Sequence, residues 1–226
     1  MKALAIVLAA LDFAPLFFQA VGLLLLARLS GRVEPRCRVM AFSGFLLALV
    51  GGAARVTANL VLAFSGLDVP LLAAVFAVFA GPGLALVAGS ARAARAAIAG
   101  APLRRDPWLV PVVSSWVFLI AAFVLQARTG SPVLAERALV ALGWAAWLVL
   151  CLVSALLGLR ERLHMAAGLF GLSALALTLQ IAAPWFAPGR LIVGALVLLS
   201  SAMAHAGFAF ASWRVSAEFL AAPPRA

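Results

Sequence analysis

Tyrosine is missing from this 226-residue chain, Lys2 is its only lysine and Asn59 its only asparagine. Only 7 acids stand against 17 basic residues. Charged residues make up 11% of the chain and apolar residues 66%, with a mean hydropathy of +1.18. A soluble domain carries about 25% charged residues, so the composition excludes one and points to a bilayer. The lack of lysine inside any apolar run excludes a retinal pump, which needs a Schiff-base lysine in its last helix.

Two histidines and two cysteines are too few for most metal chemistry. His164 falls at the edge of an apolar run and His205 some 12 to 15 Å into another, by the helical rise of ~1.5 Å per residue. They therefore share neither a haem nor a zinc ion. Cys37 lies in a basic loop and Cys151 deep in an apolar run, a pattern that matches no disulfide framework and no metal motif. Ser114-Ser115 and Ser200-Ser201 lack a histidine and acid arranged for nucleophilic catalysis, and serines in apolar helices mostly bond backbone carbonyls. No catalytic residue, metal or cofactor is implied. Abundant Ala, Leu, Arg and Gly fit a GC-rich bacterial genome.

What the chain does contain is seven apolar runs, 3–27, 39–62, 69–88, 108–125, 138–157, 165–186 and 191–213, each near the ~20 residues that cross a bilayer. Between them stand loop signals at Ser30-Gly31, Ser65-Gly66, Gly130-Ser131-Pro132 and Pro188-Gly189. The fold expected is all-α, one seven-helix transmembrane bundle over residues 1–226. The first run continues past Asp12 and is too long for a cleaved leader. Twelve basic residues fall on one side of this topology (Arg28, Arg32, Arg36, Arg38, Arg92, Arg95, Arg104, Arg105, Arg160, Arg162, Arg214, Arg225) and four on the other (Lys2, Arg128, Arg137, Arg190). Positive charge stays in the cytoplasm, so the amino terminus is expected outside and the carboxyl terminus inside. Trp108, Trp213 and Trp185 fall where an aromatic belt belongs. The net charge of +10 needs no nucleic acid; the bilayer, with anionic inner-leaflet lipid, is its natural counter-surface. The link from Ser90 to Asp106 reads as a topology-setting loop or as a helical extension lying on the membrane. Nothing in the pattern specifies an oligomeric state.

Two charged groups sit where the bilayer should be, Asp12 in the first run and Arg55 in the second, and such groups mark functional sites. Helical rise places them roughly 13 and 10 Å from the outer surface, on neighbouring helices, so Asp12 is the expected partner of Arg55. Asn59 shares the face of Arg55 at i+4, and Gln180 and Trp147 fall near the same level. A polar cavity open to the outside is expected, with a small polar or anionic ligand facing Arg55. The competing structural readings are an ion pair without a ligand, or an Arg55 that snorkels to the surface toward Asp68. Gly81-Pro82-Gly83 reads as a helix break or packing kink in the third run, and Gly51-Gly52 as a close helix approach. An offset of 125 residues aligns Met40-Ala41 with Met165-Ala166 and Arg55 with Gln180, a weak sign of a parallel repeat. A transporter-like or ligand-binding bundle is the leading function; a membrane enzyme acting on a lipid or isoprenoid, or a structural or regulatory subunit, are the alternatives.

Overall fold

The computed structural model describes residues 2–102, 105–186 and 191–221, with side chains over 6–102, 105–131, 133–180 and 196–219. Arg104, Arg190, Arg225 and the Pro188-Gly189 loop signal lie outside the described residues, as do the side chains of Lys2 and Trp185. The described chain is helical: α1 Lys2–Leu11, α2 Phe13–Val33, a 3-10 turn Pro35–Cys37, α3 Arg38–Ser65, α4 Pro70–Ile98, α5 Leu109–Thr129, α6 Pro132–Arg160, α7 His164–Phe186 and α8 Leu191–Ala221. Six spans are long and apolar enough to cross a membrane, with a shorter apolar helix over His164–Gln180, consistent with a helical membrane bundle.

Each expected run corresponds to a helix, with two corrections. The first run is two helices, because the chain turns at Asp12 between α1 and α2. The Asp12 N–H still donates to the Leu8 carbonyl at 3.2 Å, but Pro15 has no N–H for the Leu11 carbonyl and its ring crowds it. Conversely, of the two readings for Gly81-Pro82-Gly83 the break does not occur, since α4 runs through Pro82 without interruption. The glycines there serve packing. A Cβ at Gly51 would lie 2.6 Å from Ala80 N, one at Gly44 would lie 2.7 Å from Gly83 O, and one at Gly81 would lie 3.1 Å from Leu139 O. Small residues let backbones approach in this way, so α4 wedges between α3 and α6 at the level of its proline.

Helix ends also outrun the apolar sequence. α4 continues past its apolar run as far as Ile98, so the first part of the Ser90 to Asp106 link is helical. α6 begins at Pro132, six residues before the expected start at 138, because proline is well placed in a first turn where its missing N–H costs nothing.

Six helices close a ring in the order α2, α3, α4, α6, α7, α8, with α8 packing back on α2. α5 stands outside it against α4 and α6, leaving Trp116, Val117, Ile120 and Phe123 exposed. The core fills the end of the ring that carries the arginines. Leu23, Leu26, Val87, Leu150, Phe170, Phe208 and Val215 are buried there in one cluster. Ser216 Oγ crosses from α8 to the Leu25 carbonyl of α2 at 3.3 Å. The 125-residue offset moves the end of α2 to 158, the start of α3 to 163 and the end of α4 to 223, against observed bounds of 160, 164 and 221. The other three bounds miss by four to six residues and the helix lengths differ, 21 against 29 residues for α2 and α6 and 28 against 23 for α3 and α7, so the ring has three helices on either side without a matched repeat.

Candidate functional site

The ring encloses a cavity of about 420 Å³ toward the end opposite the packed core. All six ring helices line it, and none of its lining residues comes from α5. Every site residue expected to bind lies on it: Asp12, Arg55, Asn59, Trp147 and Gln180. Of the glycine-proline triplet only Gly81 does so. Between the polar groups the wall is aliphatic and aromatic, with Leu16, Val56, Phe76, Leu84, Leu139, Val140, Leu177, Val197 and Leu198.

The pairing differs from the expectation. Asn59 Nδ2 donates to Asp12 Oδ2 at 2.8 Å, tying the α1–α2 turn to α3. Arg55 instead faces Glu136 of α6 at 3.9 Å and lies over the Phe76 ring of α4 at 5.6 Å. Among the described residues no ion pair joins Asp12 to Arg55, and none joins Arg55 to Asp68. The physical reason is the early start of α6. It carries Glu136 one turn into the helix and up to the rim, so the cation finds its acid across the ring. Both members of that pair are half exposed, with side-chain exposures of 49% and 40%, so its Coulomb energy is weak.

Deeper in, Trp147 is fully buried at 1% exposure, its ring 4.5 Å from Phe208 and 5.3 Å from His205. His205 lines the cavity floor, with Nδ1 placed 2.8 Å from the Ser201 carbonyl of its own helix. A carbonyl can only accept, so Nδ1 carries the hydrogen and Nε2 is left as the acceptor of the neutral ring. Trp144 Nε1 donates to Thr178 Oγ1 at 3.2 Å, and Thr178 passes a hydrogen bond of 2.9 Å to the Ala174 carbonyl, clasping α6 to α7. Trp147 Nε1 and Gln180 Nε2 are buried donors with no acceptor among the described residues. Such groups are costly unless something accepts from them.

Sequence reasoning passed over Gln19 and Glu136. Gln19 lines the cavity two turns after Asp12, and the i+7 spacing was a readable signal. Glu136 was masked by a helix start placed at the first apolar residue. In the serine pairs, Ser114 and Ser115 donate to the Pro111 carbonyl at 3.0 and 2.7 Å, and Ser200 donates to the Val197 carbonyl at 2.9 Å. Cys37 and Cys151 are free and buried. Among the described residues no three His, Cys, Asp or Glu side chains gather as a metal site. Comparison of the chain with protein-family models, curated proteins and solved structures returns no match.

Proposed function

We propose that the chain is a multi-pass protein of a bacterial inner membrane, with seven spans and its arginine-rich end in the cytoplasm, and that its ring cavity binds a small amphipathic molecule reached from outside. The observation that carries this reading is the convergence of six helices on one cavity. It has an aliphatic wall, charges at the rim and unpaired hydrogen-bond donors further in. A volume of about 420 Å³ falls within the 300–1,000 Å³ range of small-molecule sites.

The wall favours an apolar body. Arg55, Trp147 and Gln180 favour acceptor groups on it, a carbonyl or carboxylate oxygen, since all three have N–H bonds to spare. Transport is the reading we favour over storage because the ring sets three helices, α2 to α4 and α6 to α8, on either side of the cavity, and two such halves can rock against each other.

Native mass spectrometry of the gently extracted protein tests this directly. A small-molecule adduct is expected on the wild type and is expected to fall in occupancy with Arg55→Gln and with Trp147→Phe. An adduct-free wild type whose unfolding midpoint moves with no added amphipathic solute would sink the proposal. The solute identified then becomes the substrate for a flux assay in liposomes.

A further inference from the structure

At the opposite, arginine-rich end a second cavity of about 200 Å³ opens between the 3-10 turn, α4 and the α4–α5 link. Its wall includes Glu34, Arg36, Cys37, Gly89 and Arg92. The chemistry of the wall is specific. Arg36 Nε donates to Glu34 Oε1 at 2.8 Å and its NH2 group to Glu34 Oε2 at 3.4 Å. This holds the guanidinium in place and neutralises the only acid among the lining residues. The same hydrogen bond keeps the Glu34 carboxyl below its ordinary range, so that carboxylate stays charged and engaged. Arg36 retains its remaining N–H groups. Arg92, exposed on the last stretch of α4, has no hydrogen bond or ion pair among the described residues. Two guanidinium groups from different elements therefore face one hollow, with one net positive charge unspent.

We infer that this hollow is a phosphate site that holds the headgroup of an anionic phospholipid. Paired guanidinium donors match the oxygens of a phosphodiester. At roughly 30 Å³ per water, the hollow has room for a phosphate and a short polar substituent. A free phosphate offers the same oxygens, but the surroundings favour a lipid. Trp108, the residue expected at the interface, packs against the neighbouring cluster of Cys37, Met40 and Leu86. Val39 and Leu109 lie within two residues of the lining Cys37 and Pro107, and they are exposed at 67% and 57%. A headgroup in the hollow would lay its acyl chains on them. Basic hollows between helices at the cytoplasmic side take lipid headgroups in this manner. The inference does not depend on what the ring cavity binds.

The test uses the full chain in nanodiscs of phosphatidylcholine, with or without phosphatidylglycerol, and counts lipids retained after ejection into a mass spectrometer. Phosphatidylglycerol is expected to be retained by the wild type, about fivefold less by Arg92→Gln and by Arg36→Gln, and nearly as well by Arg92→Lys. Arg160→Gln, which removes the same charge at the same end of the bundle but away from the hollow, is expected to match the wild type. Equal loss in Arg160→Gln would overturn the site in favour of a diffuse charge effect. Equal retention of phosphatidylcholine would overturn it as well. If inorganic phosphate in phosphatidylcholine discs raises the unfolding midpoint as much as phosphatidylglycerol does, the lipid assignment fails and a soluble phosphate takes its place.

Discussion

Asp12 is satisfied by an amide rather than by a cation, and this changes what each rim residue should do when altered. A carboxylate accepting a hydrogen bond at part-buried depth depends on that bond, and bonds to charged groups contribute about 1.5 to 3 kcal/mol. Asn59→Ala is therefore expected to lower the unfolding free energy by about 1 to 3 kcal/mol. In a double-mutant cycle Asp12→Asn with Asn59→Ala should show coupling, whereas Asp12→Asn with Arg55→Gln should be additive. Additivity in the first cycle would remove the bond from the account. Arg55→Gln and Glu136→Gln should each cost under about 1 kcal/mol, since the pair is half exposed.

Glu34 supplies the pH dependence. Its carboxyl is held below the ordinary value of 4.5, chiefly by the Arg36 side-chain hydrogen bond. A lowered folded-state pKa gives stability that is complete above 4.5 and fades as pH falls through the folded value. An unfolding midpoint that drops on acidification is the expected result, with Glu34→Gln flattening that part of the profile.

At the scale of helices, the apolar runs were legible because bilayer helices announce themselves by length and hydropathy. The breaks were less so. Gly81-Pro82-Gly83 has the composition of a break, yet neighbours on both sides hold α4 together there. A lone Pro15, only three residues past a charged residue, opens the chain at Asp12. Proline marks where a hydrogen bond is missing; whether the helix parts depends on tertiary neighbours that sequence alone does not reveal. The same limit explains the partner of Arg55, since charge complementarity nominated Asp12 while the register of α6 delivered Glu136.

Three substitutions follow from this. Pro82→Ala should leave fold and ligand occupancy near wild type, because no ligand-facing break exists to repair. Pro15→Ala restores a donor to the Leu11 carbonyl, should straighten the α1–α2 turn, and should weaken the Asp12 to Asn59 bond and ligand occupancy together, as read by thermal shift and native mass spectrometry. Gly83→Leu should be the most damaging at this scale, by about 1 to 3 kcal/mol or more, since α3 backbone blocks its Cβ position.

For the whole molecule, polarity across the membrane and closure of the ring are the properties open to test. Polarity is tested by cysteine labelling, because the native Cys37 and Cys151 are buried and should not compete. Leu67→Cys, in the link between α3 and α4, should react with an impermeant maleimide in intact cells, whereas Ala101→Cys, past the end of α4, should react only after lysis. The reverse pattern would invert the topology. The arginine distribution is what argues for this polarity, and the meeting of Asp12, Arg55, Asn59 and Gln180 on one cavity was legible by counting helical rise. Closure of the ring by α8 on α2, and the exclusion of α5, required the structure, since neither is written in any local pattern.

The central claim, that the ring cavity is occupied, is tested most directly by filling it. Gly143 lies on the wall, and a Cβ there would rest at an ordinary contact distance of 3.5 Å from the Gly81 backbone, so a Gly143→Phe ring that turns into the cavity should fill it. Native mass spectrometry of this variant, checked for helical content and unfolding midpoint, is predicted to show folded protein without the small-molecule adduct carried by the wild type. A folded Gly143→Phe that keeps the adduct at wild-type occupancy would contradict the claim.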